Sequence, residues 1–221
     1  MQAALKTFIV IVCIAANCTR VNGQTRTSCD LPKLFKDNKL TVYNRQVSSE
    51  TVASKNGIAL SEEEGEGLVW VNEVSFSTGT IEIDLKGQDV FQHSFLGIAF
   101  HGVDDSTFDA IYFRPFQFRT DDLVRKTRGV QYISLPVYTW QKLREGHNGI
   151  YEKIVDPAPD PNGWFHAKII VKEKEVLVYV DNAETPCLRV TLLSQRKTGM
   201  IALYTADRSG GSFANLVIQS D

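Results

Sequence analysis

Glu82 and Asp84 stand two residues apart in Thr80-Ile81-Glu82-Ile83-Asp84-Leu85-Lys86. In an extended segment both project from one face, with Cα atoms roughly 6.5 Å apart. A retaining glycoside hydrolase needs two carboxyl groups about 5 Å apart, one as nucleophile and one as acid/base. The pair is therefore a candidate for that chemistry, with Asp109 and His101 as further acid/base candidates. Binding chemistry is present as well. Sugar rings offer apolar C–H faces that stack on Trp and Tyr, and hydroxyls that exchange hydrogen bonds with arginine and carboxylates. Tyr112, Tyr138, Trp140 and Tyr151 are the aromatic candidates. Arg114 is the cation, placed to pin an acidic sugar or to pair with Asp109 or Asp121. Trp70 and Trp164 lie inside apolar strand patterns and are assigned to the core.

For metal chemistry, Asp104, Asp105 and Asp109 are the calcium candidates, because a hairpin loop could gather them. The run Glu62-Glu63-Glu64-Gly65-Glu66 cannot converge on one ion and lacks the spacing of a calcium loop, so it reads as a solvated loop. His101, His147 and His166 lack zinc-ligand spacing, and no Gly-x-Ser-x-Gly elbow exists for a serine hydrolase.

These side chains need strands to hold them. Short segments rich in Val, Ile, Phe and Tyr alternate with Gly, Asn, Asp and Pro clusters. They fall at 57–60, 68–71, 80–86, 95–101, 108–116, 129–135, 164–172, 175–181, 187–192, 200–205 and 212–219. That number of strands needs two sheets, so the expected fold is all-β, a two-sheet antiparallel jelly-roll sandwich. A short helix is expected over 140–145, inside the long irregular segment 136–163, the first candidate for a binding rim.

Alternation assigns faces. Ile81, Ile83 and Leu85 point to the core, and Glu82, Asp84 and Lys86 away from it. Leu96, Ile98 and Phe100 point in, with His101 opposite. Ile111 and Phe113 point in, with Tyr112 and Arg114 outward. On one concave face, Glu82, His101, Tyr112, Arg114 and Trp140 would line a groove suited to a sugar. The same residues also suit the solvated face of an antiparallel sheet, which is polar by default.

Residues 1–23 read as a secretory signal peptide: Lys6, an apolar run over 7–16, and a small-residue cleavage site. The run is about half the roughly 20 residues a membrane-spanning helix needs, so no span is expected. A lipoprotein fate at Cys18 is disfavoured by Asn17 before it. Residues 24–221 would then form one domain, secreted or periplasmic. The whole chain carries a net charge of −2 and no lysine or arginine block, which sets nucleic acid aside. Cys29 and Cys187 remain after cleavage, either joined in a disulfide or as two separate thiols.

Three stretches carry a resemblance. The first is Phe76-Ser77-Thr78-Gly79-Thr80-Ile81-Glu82-Ile83-Asp84. The second is Trp164-Phe165-His166-Ala167-Lys168-Ile169-Ile170-Val171 with Val176-Leu177-Val178-Tyr179-Val180-Asp181-Asn182. The third is Gly199-Met200-Ile201-Ala202-Leu203-Tyr204 with Gly211-Ser212-Phe213-Ala214-Asn215-Leu216-Val217-Ile218. Together they resemble the concanavalin A-like lectin/glucanase superfamily, and within it the secreted 3-keto-disaccharide hydrolase domain family. The resemblance implies the jelly roll, and a superfamily that hosts lectins, hydrolases and non-catalytic modules. Its laminarinase-type enzymes carry Glu-x-Asp-x-Glu on one strand, and here Lys86 takes the third position. The expectation is a carbohydrate-binding or interaction module. The alternatives are a hydrolase of glucosides or 3-keto-glucosides, and a structural periplasmic protein without a glycan ligand.

Overall fold

Branched and aromatic side chains on alternate positions favour extended backbone. In the computed structural model, which describes residues 25–221, the regular elements are mostly strands. It runs β1 (Thr25–Cys29), α1 (Leu31–Lys36), β2 (Leu40–Tyr43), β3 (Val47–Val52), β4 (Lys55–Leu60), β5 (Gly67–Val71), β6 (Gly79–Lys86), β7 (Leu96–Asp104) and β8 (Thr107–Phe113). Next come a 3₁₀ turn (Pro115–Gln117), α2 (Leu123–Lys126), β9 (Val130–Ser134), α3 (Trp140–Gly146) and β10 (Glu152–Lys153). The chain closes with β11 (Trp164–Val171), β12 (Glu175–Val180), β13 (Leu188–Thr191), β14 (Met200–Thr205) and β15 (Gly211–Ser220). The expected leader over 1–23 lies outside the described residues.

Two antiparallel sheets result. The eight-stranded sheet runs β13-β12-β11-β6-β15-β4-β3, with β1 paired to the far half of β15, and the seven-stranded sheet runs β10-β9-β8-β7-β14-β5-β2. Each stretch expected to be a strand is one. The strands not foreseen are β1, β2, β3 and β10, of which β2, β3 and β10 are sheet edges. An edge strand need not bury a full face, so it can be short or polar. Between the sheets, Ile81, Ile83 and Leu85 of β6 and Phe165, Ala167 and Ile169 of β11 are buried with Ile98, Ile111 and Phe113 of the opposing sheet. Each large apolar side chain fully buried contributes about 1.5–3 kcal/mol.

The two sheets differ on their outer faces. On the eight-stranded sheet alternation is clean: β11 leaves Trp164, His166 and Lys168 less buried than their neighbours. Trp164 is therefore half-buried on the outside rather than in the core, its Nε1 donating to the Val52 carbonyl at 3.1 Å. In the seven-stranded sheet β8 and β9 are buried on both faces. Tyr112 and Arg114 do point away from the sandwich, but both are only 3% exposed, because loops and α3 surround them.

His101 departs from alternation. Pairing between β7 and β8 shifts register after Phe100, and His101 takes φ 50. That bulge turns its ring inward between Phe76 and Phe100, where its Nε2 donates to the Ser77 carbonyl at 2.7 Å. Cys29 and Cys187 are free, not bridged. Cys29 lies on β1 and Cys187 beside β13, five strand spacings apart across one sheet, or roughly 24 Å, against the 7 Å a disulfide spans.

Candidate functional site

The outer face of the seven-stranded sheet floors a cavity of about 430 Å³, within the usual range for small-ligand sites. Tyr112 of β8, Arg114 just after it and Tyr204 of β14 form its floor; α3 supplies Trp140 and Arg144 from one side. The helix is placed by its N-cap, Thr139, whose side chain accepts from the Lys142 amide. Positions four apart share a helix face, and the Arg144 guanidinium lies 4.9 Å from the Trp140 ring centroid. Trp140 stays 41% exposed, open to a ligand. Phe91 stands 53% exposed at the rim, with the Arg125 guanidinium 4.2 Å from its ring centroid.

Polar bonds hold the floor. Arg114 Nη2 donates to Tyr112 Oη at 2.8 Å and to Gln131 Oε1, and Nη1 donates to the Arg128 carbonyl at 2.8 Å. Burial lowers the Arg114 pKa and raises that of Tyr112. Glu152, only 4% exposed, accepts from Arg144 Nε at 2.9 Å and Nη2 at 2.6 Å. It also lies 3.5 Å from Arg128 and 3.6 Å from Arg114. One carboxylate thus serves three guanidinium groups. On the opposite wall, Glu66 accepts from the Tyr204 hydroxyl. Burial raises the Glu66 pKa, with the bond from Tyr204 and the charge of Arg45 opposing.

The sequence candidates divide into three places. Tyr112, Arg114 and Trp140 surround this cavity. Arg114 pairs with neither Asp109 nor Asp121; its near carboxylate is Glu152. Glu82 and Asp84 do not share the groove, because β6 belongs to the other sheet. There His166 Nδ1 sits 2.8 Å from Asp84 and its Nε2 3.3 Å from Glu82. Lys55 at 2.5 Å and Asn215 at 2.7 Å donate to the second Asp84 oxygen. Asn215 reaches it from a β15 bulge at φ 54. Burial works to raise the Asp84 pKa, yet these bonds hold it well below the usual carboxylate range.

His101 and Asp109 lie inside the sandwich. Asp109, fully buried, accepts from Tyr132 Oη at 2.6 Å, Ser194 Oγ at 2.7 Å and Arg196 Nη2 at 3.0 Å. Tyr151 is 8% exposed and packs on Tyr132 and His147 rather than lining the cavity. The calcium candidates do not fit an ion. Asp104 Oδ1 accepts from Ser106 N and Oγ, Asp105 from Trp70 Nε1, and Asp109 from its interior donors. Among the described residues no three potential ligands converge.

Several lining residues carry little signal in the sequence. Glu66 falls in a run that reads as a solvated loop, although it directly precedes the buried strand β5; Arg144 lies one helical turn beyond Trp140, a spacing that could have revealed it. Arg125 and Arg128, and Glu152 behind the lining, have no such marker. A wider cleft of about 1150 Å³ separates α1 from the β3–β4 hairpin. Its single aromatic is Phe35, and its charges are of both signs, so it lacks a comparable floor.

No family model and no curated protein matches this chain in sequence. Solved structures do match in shape. The carbohydrate-binding module CBM66 from Bacillus subtilis aligns with TM-score 0.56 at 16% identity, over 81% of this chain and 95% of that one. A family 16 endo-glucanase from Bacteroides ovatus gives 0.57 at 12%, over 87% and 99%. A Bacillus subtilis protein of unknown function with a galectin-like fold gives 0.56 at 10%, over 88% and 94%. At such identities the likeness speaks for architecture alone, and the architecture is the two-sheet antiparallel jelly-roll sandwich.

Proposed function

We propose that the protein is a glycan-binding β-sandwich module whose ligand lies in the cavity on the outer face of the seven-stranded sheet. One observation carries this: an open cavity that joins the exposed rings of Trp140 and Phe91 to a floor of hydrogen-bonding tyrosine and arginine. Ring faces stack on the aromatics while hydroxyls meet the polar groups. The likeness to a carbohydrate-binding module and an endo-glucanase agrees with such a ligand. The leader-like residues 1–23 support a secreted or periplasmic protein that meets glycans outside the cytoplasm.

A second reading is a glycoside hydrolase acting on glucosides or 3-keto-glucosides. It is favoured by Glu66, a carboxyl in the same cavity whose burial makes it hold its proton more readily. In that reading Glu66, with Asp207 beside it in the lining, takes the role first assigned to Glu82 and Asp84.

One incubation tests both. The protein is mixed with a panel of neutral oligosaccharides and 3-keto-glucosides, and calorimetric binding and sugar release are monitored together. Binding that Trp140→Ala abolishes at unchanged melting temperature supports the module. Release of sugar that Glu66→Gln abolishes supports the hydrolase, and a Trp140→Ala variant that binds like the parent refutes the placement of the site.

A further inference from the structure

Resting on the glycan-binding reading, we infer that the ligand is an anionic glycan whose charge is carried by sugar carboxylate or sulfate groups. Five arginines, Arg114, Arg125, Arg128, Arg144 and Arg208, line the cavity, against two carboxylates, Glu66 and Asp207. The chain as a whole is acidic, at −2, so this concentration of guanidinium is local and not compositional.

Groups behind the lining do not cancel it. Glu152 is shared by Arg114, Arg128 and Arg144, and Glu66 also acts through its charge on the buried Arg45. Asp207 lies 3.4 Å from Arg208. Arg125 has no carboxylate partner among the described residues. It bonds Gln117 Oε1 through Nε at 3.3 Å and stacks on Phe91, which fixes the guanidinium plane while leaving its two terminal NH₂ groups without a bond to any described residue. Gln131, bonded to both Tyr112 and Arg114, keeps its amide Nε2 without a partner as well.

The chemistry of the wall selects the ligand. A neutral sugar hydroxyl both donates and accepts, whereas arginine offers five donors and no acceptor. A lining with a surplus of guanidinium therefore matches groups that only accept, and its planar fork matches carboxylate and sulfate-type oxygens in pairs. The aromatic rings serve the sugar faces of the same ligand.

The test uses charge-matched pairs: oligogalacturonate against its methyl ester, and dextran sulfate against dextran, by calorimetry with the full chain. The charged member of at least one pair binds at least about tenfold more tightly, and which pair responds separates carboxylate from sulfate. Arg125→Gln and Arg208→Gln, both at accessible positions, weaken the charged member about tenfold while leaving the melting temperature unchanged. Raising NaCl from about 50 to about 300 mM weakens only the charged member, as screening predicts. Equal affinity for both members of each pair, or Arg125→Gln and Arg208→Gln variants that bind the charged member like the parent, overturns the inference and leaves glycan binding standing. Absence of binding to all four also overturns it, and the panel of neutral oligosaccharides then decides the broader reading by itself.

Discussion

Glu152→Gln is the most informative single change, because it removes one charge from beneath three. The carboxylate is 4% exposed and lies 2.6 to 3.6 Å from Arg114, Arg128 and Arg144. At an effective dielectric of about 20 a pair of unit charges 4 Å apart attracts by roughly 4 kcal/mol. Desolvating the groups takes much of that back, and breaking such a buried network costs about 3–5 kcal/mol net. Arg144 and Arg128 keep 25% and 27% of their side chains in solvent and can relax outward, whereas Arg114, at 4%, cannot. The expected loss is therefore at the low end, about 3 kcal/mol. For a chain of this size that lowers the melting temperature by about 6–12 °C, measurable by circular dichroism with urea unfolding to confirm it. A loss under about 1 kcal/mol would refute the argument that Glu152 holds the cavity wall together.

Asp109→Asn should cost about 3 kcal/mol, since Tyr132, Ser194 and Arg196 lose a buried charged acceptor; glycan binding at the cavity should survive, and loss of binding without loss of stability would contradict an interior role. The Asp84–His166 pair should make stability depend on pH. The hydrogen bond that His166 donates to Asp84, then the charges of Asp84 and Glu82, raise the His166 pKa against the opposing effect of burial. That contribution is fully present below about pH 6.5 and is lost as pH rises through the elevated folded value. Asp84, held low, contributes above about pH 4 and loses its contribution as pH falls through its depressed folded value. Melting temperatures across pH 3 to 9 should peak between those limits, and Asp84→Asn should flatten the alkaline arm; an unchanged arm would sink the assignment. Burial pushes the Cys187 thiol up to about 12 and raises that of Cys29. Iodoacetamide should therefore spare both at pH 8 until the chain is unfolded, and a reductant should leave the melting curve unchanged.

The strands at the heart of each sheet were legible because burial on one or both faces writes itself into the sequence. Ile81, Ile83 and Leu85 alternate with Glu82, Asp84 and Lys86, and β7, β8 and β14 read as near-continuous apolar runs. β3, as Val-Ser-Ser-Glu-Thr-Val, and the two-residue β10 are made by pairing with a neighbour at an edge, and neither carries an apolar alternation of its own. His101 shows the opposite failure. The alternation there is correct up to Phe100, but one bulged residue reverses the face of the residues after it, and a bulge is defined by the pairing with β8 rather than by the residues of β7 alone.

The site was half legible for a related reason. Alternation places Tyr112 and Arg114 on one face of their strand, and the short helix expected over 140–145 starts at Trp140; all three meet at the cavity. The same alternation says which face of its own sheet a residue takes and nothing about which of two sheets the strand joins. Alternation alone therefore puts Glu82 in one groove with Tyr112, although β6 pairs with β11 and β15 while β8 pairs with β7 and β9. The arginines and Glu152 come from a 3₁₀ turn's neighbourhood, two short helices and an edge strand, segments with no periodicity to align them. Their convergence is a property of the long-range pairing of β8, β9 and β10, and it requires a charged residue to stay buried in each of β8's end and β10, which is why removing Glu152 should be felt at Arg114, thirty-eight positions earlier in the chain.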